Sequence, residues 1–326
     1  MDRRTFMGAA AANLVAVPLA AIGQQTNKVH RIGYLQLSNP PIPAAPAWDP
    51  EPLRNLGWIE GKNLVFERRY AGDRPELLQR FAAELVRLKV EIIVTSGTDA
   101  AVAAKEATTH IPIVIYSAGD PVGAGLVASL SRPGGNITGF SILTTELDVK
   151  RLEVLHEVLP SAQRVGELVN PNNPAFRVAR KEYEEAFRSL GMQPIFINVA
   201  VASELGNAFA ELARRRAQAL VVRQDNLFVT NSVSIMRASV EHALPTMVGS
   251  RDMVEDGGLV SYTYSPEERN RRFAFFLDKI LRGAKPADLP VERPTKFKLV
   301  INLNTANALG LTIPQSLLLR ADEVIQ

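Results

Sequence analysis

Hydroxyl, amide and charged residues recur in this chain just after short β-branched runs, and such residues can grip a small polar molecule. Ser96, Gly97 and Thr98 come after Ile92-Ile93-Val94, and Ser117 after Ile113-Val114-Ile115. Ser38 follows the run Arg31 to Gln36, and Ser141 lies in the run Ile137 to Leu143. Further along, Asn170 and Asn173 follow Arg164 to Val169, Asp225 follows Ala219 to Arg223, Arg251 follows Thr246 to Val248, and Tyr262 ends Leu259 to Tyr262. Hydroxyls and backbone N–H groups at a helix start donate to a carboxylate, while an aspartate accepts from an ammonium group. Ser96 and Thr98 are accordingly assigned to a carboxylate, Asp225 to an ammonium group, and Arg251 or Tyr262 to closing over the ligand. Each also has a plain structural reading: Asn170 to Pro174 as a turn and cap, Ser117 as a helix cap, Tyr262 as core.

Other chemistries lack their residues. The chain has no cysteine, which removes disulfides, thiolate metal sites, a cysteine nucleophile and a lipid anchor on cysteine. His30, His110, His156 and His242 stand singly, so no metal site is expected. No phosphate-binding loop and no G-x-S-x-G elbow occurs, and no cofactor is expected. Asp99 and Asp120 read best as helix caps, and no catalytic residue is assigned. Tyr34, Tyr70, Tyr116 and Phe140 lie inside strands and read as packing. Arg214-Arg215-Arg216 ends a helix, and Arg269, Arg271 and Arg272 read as the wet side of another.

Those residues must be carried by alternating strands and helices. The apolar runs are too short for helices and too continuous for a half-exposed sheet, so they read as buried parallel strands. Amphipathic stretches follow at roughly 74–88, 99–108 and 122–131, and the alternation restarts after residue 144 through 262. Six prolines from Pro40 to Pro52 leave only a short turn of helix around Glu51 to Leu56. The expected fold is α/β, two Rossmann-like lobes with parallel sheets: 28–144 plus 265–290, and 145–264 plus 291–326. About three crossings, near 144, 264 and 291, join them as a hinge. With 326 residues, two moderate cores are the default.

Before the lobes comes a leader, residues 1–23: Asp2-Arg3-Arg4-Thr5-Phe6-Met7, then an apolar run too short to span a membrane. It reads as a cleaved export signal, by the twin-arginine or the general secretory route. A net charge of +3 from 37 basic and 34 acidic residues is too small to argue for nucleic acid.

The segments DPVGAGLVASLSRPGGNITGFS, NPNNP, GGLVSY and ILRGAKPADLPVERPTKFKLVINLNTANALGLTIPQSLLLRADEVI occur in this order. With them the chain resembles the type I periplasmic solute-binding proteins of ABC transporters, whose better-known members bind aromatic amino acids such as tryptophan. The likeness runs from Arg31 to Ile325. It implies the type I periplasmic binding protein fold, a small-molecule ligand between the lobes, closure on binding, and delivery to a membrane permease in the inner membrane by a monomeric periplasmic protein. A non-enzymatic receptor for an amino acid or small carboxylate is the expectation. A ligand sensor presenting its closed form to a membrane receptor, and a two-lobed cleft enzyme, are the alternatives. The proline-laden segment 39–56 departs from the family's longer helix at the cleft.

Overall fold

Short buried runs separated by helices build two sheets. The computed structural model describes residues 28–40, 48–142, 145–173 and 180–326. The leader, the prolines at 41, 43 and 46, Leu143, Pro174 and the start of the helix expected from Ala175 lie outside the described residues.

The first sheet holds β1 (His30–Gln36), β2 (Leu64–Tyr70), β3 (Ile92–Ser96), β4 (Ile113–Ala118) and β5 (Ile137–Ser141). All are parallel, in the order β2-β1-β3-β4-β5. Every residue of β3 and of β5 is buried because both faces of the sheet are covered. Helices α1 (Glu51–Asn55), α2 (Glu76–Arg87) and α3 (Thr98–Ala107) belong to this half. In α2, Leu78, Ala82 and Leu85 recur at i, i+4 and i+7, and this stripe is its buried face.

The second sheet holds β6 (Arg164–Val169), β7 (Gln193–Asn198), β8 (Ala219–Val222), β9 (Thr246–Val248), β10 (Val260–Tyr264), β11 (Phe297–Asn302) and β12 (Glu323–Ile325). Their order is β12-β11-β10-β9-β8-β6-β7. Among its helices are α4 (Thr145–Val158), α5 (Arg180–Ser189), α6 (Leu205–Arg214), α7 (Asn226–Thr230), α8 (Ser232–Glu241) and α9 (Arg251–Glu255). The run β7-β6-β8-β9-β10 repeats the order of the first sheet, so each half reverses direction once, between β1 and β3 and between β6 and β8. Ligands bind at such switch points, outside the carboxyl ends of the strands.

Helix α10 (Pro266–Leu281) begins directly after β10 of the second sheet but packs on the first. Ser265 accepts a hydrogen bond from the Glu268 N–H, and Pro266 occupies the first helical position, a strong start signal. Phe273, Phe276, Leu277 and Ile280 bury against Ile32, Tyr34, Val94 and Val114. Trp48 joins this cluster with its ring 5.0 Å from that of Phe273 and 5.1 Å from that of Tyr34. The chain then runs past the first sheet's edge, where Glu292 exchanges backbone hydrogen bonds with Gly139 and Ser141, before entering β11.

Two expectations are corrected. Residues 122–131 form turns, not a helix. Asp120 Oδ1 takes the N–H groups of Val122 and Gly123, while Leu126 and Val127 both donate to the Pro121 carbonyl, which folds the segment back on itself. The second sheet is also not wholly parallel, since β11 runs antiparallel to β10. The returning chain reaches this sheet from the side where β10 left it, so its direction is opposite.

Candidate ligand-binding cleft

Both switch points open on one cavity of about 940 Å³, within the range of about 300–1,000 Å³ usual for small-molecule sites. The first half lines it with Gln36, Ser38, residues 96–99 and residues 116–119. From the second come Asp148, Arg151, Asn173, residues 223–226 and Arg251, with Tyr264 and Arg269 beside the Ser265 crossing. The halves approach closely: a Cβ on Gly97 would lie 2.7 Å from Asn226 Nδ2. Gly97 also has φ 96, a backbone state that suits glycine alone, so this position admits no side chain.

Of the residues singled out in the sequence, Ser38, Ser96, Gly97, Thr98, Ser117, Asn173, Asp225 and Arg251 line the cavity. Three others do not. Ser141 is buried and donates to the Gly119 carbonyl. Tyr262 stacks on Phe297 with centroids 5.7 Å apart and gives its carbonyl to Arg151. Asn170 sits behind Asp225 and donates to it at 3.1 Å. Arg251 reaches the lining but is not available for closing over a ligand, because Glu323 holds it in a two-pronged pair and Glu255 takes its remaining nitrogen at 2.8 Å. Thr98 Oγ1 accepts the Gly119 N–H, and Ser96 and Ser117 hydroxyls face each other at 3.4 Å.

Asp225 starts α7 as its cap, accepting from Leu227 N at 2.9 Å. Asn170 and Asn173 donate to it as well, the latter at 2.7 Å. Asn170 is shared between both oxygens, at 3.1 and 3.3 Å, so the carboxylate is held from three sides while its charge still lines the cavity. Asp99 is not a cap, since Gly97 holds that position; it faces the cavity from the first turn of α3. Burial, and then the charge of Asp225, push Asp99 up to about 6, and the same two causes raise Asp73. Among the described residues no group of acidic or histidine side chains is placed to hold a metal ion. Asp99 and Asp225 give this side of the cavity its negative character.

A carboxyl raised by folding contributes stability that is present below its unfolded pKa and lost as pH rises through its folded value. For Asp99, the ligand-free protein should lose stability between about pH 4, the unfolded value, and about pH 6. Thermal melts of wild type and Asp99→Asn across that window check it: the variant should have the shallower slope, and identical slopes would place no titrating charge at Asp99.

The floor of the second half is a buried ion network. Asp148 pairs with Arg151 at 2.8 Å and with Arg223 at 2.9 Å, and Arg223 Nε lies 2.7 Å from Glu167. Arg151 also donates to the carbonyls of Tyr262 and Gly249. Burial raises Glu167 despite the guanidinium beside it. On the other side, Arg269 lies over the ring of Tyr116 at 4.2 Å and that of Tyr264 at 4.9 Å, and Tyr264 bridges across to Gln224 at 3.0 Å.

Sequence reasoning missed Arg269, Tyr116, Tyr264, Asp148, Arg151 and Arg223. A signal for Arg269 existed: it shares the i+4, i+7, i+8 and i+11 face of Phe273, Phe276, Leu277 and Ile280, the buried side of α10.

A family model described as ABC transporter substrate binding protein matches residues 50–325. The tyrosine-binding protein of Clostridioides difficile is 26% identical over 287 residues, covering 88% of this chain and 82% of that protein. A crystal structure of a conserved domain protein from Vibrio cholerae superposes with a TM-score of 0.85 at 26% identity, covering 91% of this chain and all of that one. An ABC domain from Streptococcus pneumoniae in complex with L-Trp shares the fold, with a TM-score of 0.82 at 24% identity over 91% of this chain and all of the other.

Proposed function

This chain belongs to the family of ABC transporter substrate binding proteins, and from that premise we propose that it captures a zwitterionic amino acid or small carboxylate in the cleft and delivers it to a membrane permease. The observation that carries the proposal is the cavity itself, lined from both halves and presenting carboxylates and a guanidinium to one volume. A solute touching both halves favours the closed arrangement, whereas one touching a single half shifts nothing. Delivery from the periplasm, after export directed by the leader, is part of the same proposal. The hydroxyls of Ser96, Thr98 and Ser117 are tied to one another or to backbone, which supports binding over chemistry on the ligand. Tyrosine and tryptophan, named for relatives, are the first probes.

Replacing Asp225 with alanine should weaken binding of L-tyrosine or L-tryptophan at least about tenfold, since a charge-assisted contact is worth about 1.5–3 kcal/mol. Because Asp225 also caps α7 and receives two asparagines, Asp225→Asn should accompany it, keeping shape while removing charge. Calorimetry decides: unchanged affinity in both variants removes Asp225 from the site.

A further inference from the structure

Four arginines line the cleft, and three are neutralised by protein carboxylates. Arg151 and Arg223 share Asp148, Arg223 also meets Glu167, and Arg251 is held by Glu255 and Glu323. Arg269 differs. Among the described residues no carboxylate pairs with it; its hydrogen-bond partners are phenols, Tyr264 Oη at 2.7 Å and the Tyr116 hydroxyl. Two tyrosine rings lie against the guanidinium, and its Nε atom is buried with no acceptor. Tyr116 supplies no negative charge, because burial pushes its hydroxyl up to about 12 and that hydroxyl donates to Asn270.

A guanidinium taken out of water needs both a counter-charge and acceptors for its planar fork of N–H groups. Aromatic faces and two neutral phenols supply no counter-charge and leave Nε without an acceptor. The edge carrying Nε matches the spacing of the two oxygens of a carboxylate. We propose that Arg269, clasped by Tyr116 and Tyr264, is the receptor for the ligand's carboxylate and makes the cleft select acids over their neutral amides. The proposal rests on the reading of the cleft as the solute site and gives the anion a charged partner beside Thr98, whose hydroxyl accepts the Gly119 N–H and keeps its own proton to donate.

The test is calorimetric titration of the full mature chain with L-tyrosine, L-tryptophan and benzoate, each beside its amide. Wild type should prefer the acids by about 100-fold, because a buried donor left unpaired penalises the analogue that cannot accept. Arg269→Gln should lose most of that preference, while Arg269→Lys, a point charge without the fork, should keep part of it. Circular dichroism verifies folding of both variants, and the acid-to-amide ratio in wild type stands even where a variant fails to fold. Amides binding as well as acids would overturn the proposal while leaving an amino acid receptor intact. So would an Arg269→Gln protein with the wild-type ratio. Binding of none of the six probes would overturn the solute-class reading itself, and this inference with it.

Discussion

Asp148→Ala is expected to lower the unfolding free energy by about 3–5 kcal/mol, the usual result of removing one partner from a buried charge pair. Asp148 is only 1% exposed and is shared by two guanidinium groups. Without it, Arg223 keeps Glu167 as a counter-charge, and Arg151 keeps the carbonyls of Tyr262 and Gly249. Those contacts join α4 to the carboxyl ends of β6, β8, β9 and β10, so the cavity floor loosens with the fold. Urea unfolding measures the loss, and a fall below about 1 kcal/mol, the worth of an exposed pair, would mean that the network is solvated. Asp148→Asn keeps the size and one acceptor, and should fall between alanine and wild type.

An equally large loss, about 4 kcal/mol or more, is expected of Gly139→Ala, combining backbone strain with overpacking. Gly139 has φ 131, and a Cβ there would lie 2.2 Å from the Ile115 carbonyl oxygen and 2.5 Å from its nitrogen. These are backbone atoms of the neighbouring strand and cannot swing aside. The close approach belongs to the shift in register between β4 and β5, beside the point where Glu292 joins the edge. Gly135→Ala is the matched control, since nothing lies near its added methyl group and its φ is unstrained. Thermal melts of the two variants should diverge widely; equal melts would mean that β5 relaxes at little cost.

Most of the architecture was legible because it rests on period and punctuation. Runs such as Ile92-Ile93-Val94 read as buried strands, and the amphipathic stretch from Glu267 to Arg282 reads as a long helix, which the structure begins one residue earlier at Pro266. The segment 122–131 misled because Ala, Leu and Val suggest helix, while the outcome was decided by Asp120 taking two N–H groups and by a single carbonyl, that of Pro121, receiving two. For the cleft, position after a strand located Ser38, Ser96, Ser117 and Asp225 but not their duties. Arg251 looked free because Glu323, 72 residues away, cannot be paired with it from sequence spacing. Asp99 looked like a cap because nothing local reveals that Asp225 stands across the gap. Long-range partnership, unlike period, leaves no trace in one sequence.

Ser265 alone separates the last residue of β10 from the first of α10. Two stiff rods thus meet without slack, and any change of angle between them falls on the torsions of a residue or two. Tyr264 ends one rod and Arg269 lies one turn into the other, joined by a hydrogen bond. If Arg269 grips the anion as proposed, drawing the two rods apart would pull guanidinium from phenol, so the crossing and the grip would be a single mechanical part.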